Sequence, residues 1–171
     1  MPEWLPELLP LDPWRENSYD ILYEIFVKEI LNVSKDNRLL YLDNPVWIFP
    51  DLEEGKEKIF WHLTSRTVSV VRRNKRKFNN PDDNERYPDM RRCERLLWVR
   101  AIIDNASSDD VLNWDIEEDD CIKTYLWLRK HDFVVILKKY PNNKRRIVTS
   151  FHVDNEVKRR DFEKKYGNRI V

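Results

Sequence analysis

The last third of the chain leaves little choice of fold. Tyr125, Trp127 and Arg129 lead into Asp132-Phe133-Val134-Val135-Ile136-Leu137, a Pro141-Asn142-Asn143 turn follows, and Arg146-Ile147-Val148-Thr149-Ser150-Phe151-His152-Val153 comes at once. Apolar runs of this length, bounded by turn residues, read as buried strands. Connections this short join antiparallel neighbours, because parallel strands need a crossover of about a dozen residues or more. The segments 123–129, 132–139 and 145–153 are therefore expected to form one antiparallel meander. Thr149, Ser150 and His152 interrupt its last strand beside Lys144, Arg145 and Arg146. Hydroxyls, an imidazole and cations on one sheet are groups that suit a phosphate.

At 171 residues the chain fits one domain with a real core. Only Gly55 and Gly167 are glycines, which excludes the glycine-rich phosphate loops of P-loop and dinucleotide-binding proteins. No run approaches the roughly 18 apolar residues of a membrane span, and Met1-Pro2-Glu3-Trp4 lacks the regions of a signal peptide. Cys93 and Cys121 lack metal-ligand spacing and read as a reduced pair. A cytoplasmic protein without membrane partners is expected.

The net charge of zero hides a segregation. Residues 1–65 hold 13 acidic and 6 basic side chains, 66–100 hold 5 and 11, 101–131 hold 8 and 3, and 132–171 hold 5 and 11. Two basic blocks flanking an acidic one form a polyanion-binding patch if the fold brings them together, or neutralise their acidic neighbours if it does not.

Residues 1–16 are rich in Pro and Trp and are expected to lie as an extended arm, pinned by Trp4, Leu8, Leu9 and Trp14. Ile21, Leu22, Ile25, Phe26, Ile30 and Leu31 predict a helix over 18–32 with Asn17 or Ser18 as its cap. Val46-Trp47-Ile48-Phe49 predicts a strand, while Lys58 to Ser65 is open between strand and helical turn. Arg72 to Pro88, with Arg72, Arg73, Lys75, Arg76 and Lys77, reads as a basic surface loop. Asp89 to Ile103 predicts one helix capped by Asp89, Ser107 to Asp120 an acidic connection, and Asp154 to Tyr166 a final basic helix.

Phe60-Trp61-His62-Leu63 with Arg66, Asp89-x-x-Arg92-x-x-Arg95-x-x-Trp98, Phe133 to Leu137 and Thr149-Ser150-Phe151 follow one another in an order that resembles a phage- and defence-associated branch of the BECR ribonuclease superfamily, named for barnase, EndoU, colicins and RelE. The resemblance covers most of residues 18–166. It implies an α+β fold, with N-terminal helices packed on one side of a curved antiparallel β-sheet and a C-terminal helix. It also implies a metal-independent endoribonuclease with no cofactor, often a toxin, with RNA and a neutralising antitoxin protein as partners.

The residues make chemical sense of that implication. Cleaving RNA without metal requires a base for the 2′-hydroxyl, a cation for the phosphorane and an acid for the leaving oxygen, and leaves a 2′,3′-cyclic phosphate. An imidazole, with its ordinary pKa of about 6.5, serves either proton role, and Arg binds two phosphate oxygens at once. His62, Arg95, Thr149 and His152 are the expected catalytic residues. Arg66, Arg92, Trp98, Ser150, Lys144, Arg145 and Arg146 are the expected substrate contacts, and no metal site is expected. Each has a plainer reading: His62 as an interior histidine, Arg92 and Arg95 as surface ion pairs, Ser150 and Thr149 as cross-strand partners, the tryptophans as core. The alternative function is a nucleic-acid- or protein-binding module that keeps the fold without the chemistry. Pro50-Asp51 with Glu54-Gly55-Lys56 imitates a metal-nuclease motif at a spacing too short for its geometry, and Asp115 to Asp120 lacks the pattern of a calcium loop.

Overall fold

The computed structural model describes residues 1–67 and 85–171. The expected meander is present: β8 (Cys121–Leu128), β9 (Phe133–Lys139) and β10 (Arg145–His152) are adjacent and antiparallel. A further strand, β7 (Val111–Glu118), pairs with β8 where an acidic connection was expected. Leu112, Trp114 and Ile116 alternate there with Asn113, Asp115 and Glu117, the period-2 pattern of a strand with one polar face. The two-residue turn after it is Asp119-Asp120, with φ of 55° and 62°, the doubly positive conformation that matches strand twist in tight hairpins.

Two short strands extend the sheet on its other side. β1 (Leu40–Tyr41) pairs with β2 (Asn44–Trp47), and β2 lies parallel to β10, Arg145 opposite Val46 and Arg146 opposite Trp47. The six-stranded sheet is therefore mixed, with order β1-β2-β10-β9-β8-β7, rather than wholly antiparallel. A parallel seam escapes a reading based on short connections, because its two strands come from distant parts of the chain.

Alternation along the meander divides the core in two. Leu126, Leu128, Phe133, Val135, Leu137 and Ile147 pack with Phe26, Phe60, Leu96, Val99 and Ile103 from the preceding helices. Tyr125, Trp127, Val134 and Ile136 pack with Trp114 and Phe162. Phe162 belongs to α5 (Glu156–Gly167), so this helix covers the face opposite the others and the helices are not all on one side. Its cap is Asn155, whose Oδ1 accepts from the Lys158 N–H at 2.9 Å, not Asp154.

α1 (Ser18–Phe26) continues as a π turn through Val27–Leu31. Lys58–Thr64 is a helix, α2, which resolves the ambiguity there. The segment from Asp89 divides at Arg95 into α3 (Met90–Glu94) and α4 (Leu96–Asp104), with Asp89 capping as expected through Arg92 N–H at 3.3 Å. β5 (Ser65–Thr67) pairs with β6 (Arg86–Pro88), and β3 (Leu52–Glu53) with β4 (Lys56–Glu57). The expected basic cluster Arg72 to Lys77 lies outside the described residues. Of the expected anchors of the arm, Trp4, Leu9 and Trp14 pack against the core while Leu8 is exposed, and Leu5 and Leu11 are buried besides. No helix of the described residues is long and apolar enough to cross a membrane.

Candidate functional site

β2 ends at Trp47, but β10 runs on to His152, where β9 is its one strand neighbour among the described residues. Along this open edge α2 and β5 face the strand across a cleft of about 460 Å³. A β-bulge sits at the same place: Ile147 opposes Leu137 and Thr149 opposes Ile136, leaving Val148 as the extra residue. Bulges re-aim side chains, and this one does so decisively. It sets Ser150 opposite Val135 in the core, fully buried, while Thr149 lines the cleft.

Among the described residues five cations reach the cleft, Lys58, Arg66, Arg86, Arg92 and Arg146, against one carboxylate, Asp51. They are not equivalent. Arg92 is held in place, its Nη1 donating to the His62 carbonyl at 2.7 Å and the Ser65 carbonyl at 3.2 Å, with Nε 3.4 Å from Asp89. It fastens α3 to the end of α2. Arg86 lies 3.6 Å from Glu53, and Arg66 lies 3.5 Å from Asp89 with its side chain 46% exposed. Lys58 and Arg146 have no carboxylate partner among the described residues. Arg146 instead stacks its guanidinium 4.1 Å from the centre of the Phe49 ring.

His62 stands among these cations on α2, one turn after Lys58. Its ring reaches solvent, yet partial desolvation lowers its pKa. Arg86, Arg92 and Lys58 push it in the same direction against the opposing effect of Glu53. The shift favours the neutral imidazole, the form that accepts a proton.

The cleft thus gathers His62, Arg66, Arg92, Arg146 and Thr149 from the expected set. The other expected residues lie elsewhere. His152 lines an adjoining cavity and shares Arg91 with Asp154, at 3.0 and 3.1 Å from Arg91 Nη1. Arg95 is turned away by the break between α3 and α4: it donates to the Arg91 carbonyl at 3.1 Å, lies 3.6 Å from Glu94 and stacks on Trp98 at 5.0 Å. Trp98 is 4% exposed and donates to the Pro6 carbonyl, so it offers no stacking surface. Arg145, 5% exposed, is bound inside the protein to Asp115 and Thr124. Lys144 lies in the exposed turn before β10, away from the cleft lining. Lys58, Arg86, Phe49 and Asp51 are among the lining residues absent from the expected set. Lys58 was within reach of a sequence reading, since it precedes His62 by four positions on the same helical face.

The acidic run does not form an open loop. Asp115 lies 3.3 Å from Arg145 and 3.5 Å from Lys139, and Glu118 lies 3.3 Å from Lys165 and 3.5 Å from Lys123. Cys93, with its thiol pushed up to about 12 by burial, is no thiolate nucleophile. Comparison with family models, curated proteins and solved structures finds no match for this chain.

Proposed function

We propose that this chain is a metal-independent endoribonuclease, a toxin or phage-related effector, and that the cleft beside β10 is its active site. The observation that carries the reading is the convergence of the His62 imidazole with Lys58 and Arg146, two cations without a carboxylate partner among the described residues, in one cleft beside β10. The order of helices before an antiparallel meander agrees with the BECR-like expectation. In this reading His62 takes the 2′-hydroxyl proton as the 2′ oxygen attacks phosphorus. The bond from phosphorus to the 5′ oxygen breaks, and a protonated imidazole or water returns a proton to that oxygen. Arg146, Lys58 and Arg66 stabilise the crowded phosphorane, Thr149 donates to a phosphoryl oxygen, and Arg92 positions His62 through its main chain. RNA is the partner, with a neutralising antitoxin protein the natural second one. The test is incubation of unpaired RNA with the protein in excess chelator; fragments ending in 2′,3′-cyclic phosphate are expected, and cleavage abolished by the chelator contradicts the proposal.

The rival reading, a binding module, draws on the separation of the two histidines and on the distance of Arg95 from the cleft. It predicts RNA bound and left intact.

A pH profile adds a second check. A general base works when unprotonated, so kcat/KM rises with pH through the His62 pKa, and the midpoint is expected below the ordinary 6.5. Arg86→Gln removes one of the charges that lower it, so the midpoint is expected to move upward towards that value.

A further inference from the structure

The basic cleft does not end at Arg92. Arg66 and Arg92 also line a second cavity of about 150 Å³, whose far side carries Phe151, His152 and Lys158. The two guanidiniums are thus a wall common to both spaces. Among the described residues of the smaller one Arg66, Arg92 and Lys158 outnumber Asp89 and Asp154, so the positive charge continues there at lower strength. Lys158 is half exposed and stands 3.7 Å from Asp154, an ion pair of the kind that contributes little and exchanges readily for another anion. Phe151 lies beneath both neighbours, 5.9 Å from the Arg92 guanidinium and 5.8 Å from the Lys158 ammonium, which keeps the two cations over one ring.

A ligand with one phosphate fills one of these spaces, whereas a strand with successive phosphates fills both. We propose that the two cavities form a single track for an unpaired polyanionic strand, one phosphate beside His62 and the next against Lys158. That the strand is RNA rests on the function proposed above. On this proposal the site takes single-stranded regions, loops or ends, whose phosphates and bases are free to follow such a track.

The experiment measures binding of the full chain and its Lys158→Ala variant to 2′-O-methyl oligonucleotides, which lack the attacking hydroxyl and cannot be cut. The variant leaves the Asn155 cap and His62 untouched. A dinucleoside monophosphate, with one phosphate, is expected to bind both proteins equally. A decanucleotide is expected to bind the variant several-fold more weakly. Its plot of log affinity against log salt should be shallower by about 0.7, the slope carried by one phosphate contact on a single strand. Equal loss for both ligands, no loss for either, or an unchanged salt slope overturns the track. Linear polyphosphate separates this inference from the functional reading. If polyphosphate shows the Lys158 dependence while oligonucleotides do not bind, the track stands and the RNA assignment falls. If the wild-type chain binds neither, both fall.

Discussion

Replacing His62 with alanine is expected to lower the rate of RNA cleavage by about 100- to 10,000-fold, the span attributed to one positioned general acid or base. The change falls on kcat, because the ring is assigned to proton transfer while phosphate binding is assigned to Arg146, Lys58 and Arg66. The fold is expected to survive, since the His62 side chain reaches solvent and the Arg92 anchor uses its main-chain carbonyl, which alanine retains. Single-turnover cleavage with an end-labelled RNA, alongside a thermal melt of the variant, separates loss of chemistry from loss of structure. Activity within a few-fold of wild type would remove His62 from the mechanism. Undiminished binding without cleavage by the wild type would favour the binding module.

The second large effect concerns stability. Asp115→Ala is expected to cost about 3–5 kcal/mol, measured as a fall in the midpoint of urea unfolding, because it strands Arg145 in the interior. Arg145 has its Nε 3.0 Å from Thr124 Oγ1, its Nη2 3.3 Å from Asp115 and its guanidinium 4.5 Å from the centre of the Tyr41 ring. Thr124 in turn donates to Asp115 at 2.5 Å. The group is a closed network joining β7, β8, β10 and β1, and with one carboxylate gone the charge that remains is poorly solvated. Replacing both charges at once, as Asp115→Leu with Arg145→Met, is expected to recover most of the loss. RNA affinity measured on Arg145→Met discriminates sharply: a substrate-binding arginine would lower it, and an internal one leaves it near wild type.

Arg145 and Arg146 show what a sequence can and cannot disclose. Adjacent residues on a strand point to opposite faces, so one of this pair had to turn inward, and the choice depended on a register set elsewhere. The meander was legible because Phe133 to Leu137 and Ile147 to Val153 carry their own apolar runs and turns. β7 was hidden by its carboxylates, although Leu112, Trp114 and Ile116 kept the alternation. Ser150 was misplaced because a bulge inverts the parity of the strand after Val148, and nothing local announces a bulge. His62, Arg66 and Arg92 could be picked out by chemistry. Arg95 could not be excluded, because the break that turns it aside occurs in a segment whose apolar spacing reads as one uninterrupted helix. Arg86 lay in a stretch that reads as a surface loop, and Phe49 in one that reads as a strand without showing what its side chain faces.

The parallel seam between β2 and β10 has a consequence for the order of events on the ribosome. Phe49 and Lys58 come from one side of the seam, Arg146 and Thr149 from the other, and β10 is synthesised well after β2. Long-range closures of this kind carry an entropic cost before their contacts form, so they come late in folding. A nascent polypeptide that has released His62 but not β10 has half of a cleft and no second wall. An amino-terminal fragment made by early termination would stay in that condition permanently. The cleft, on this arrangement, has both walls only once β10 has docked on β2.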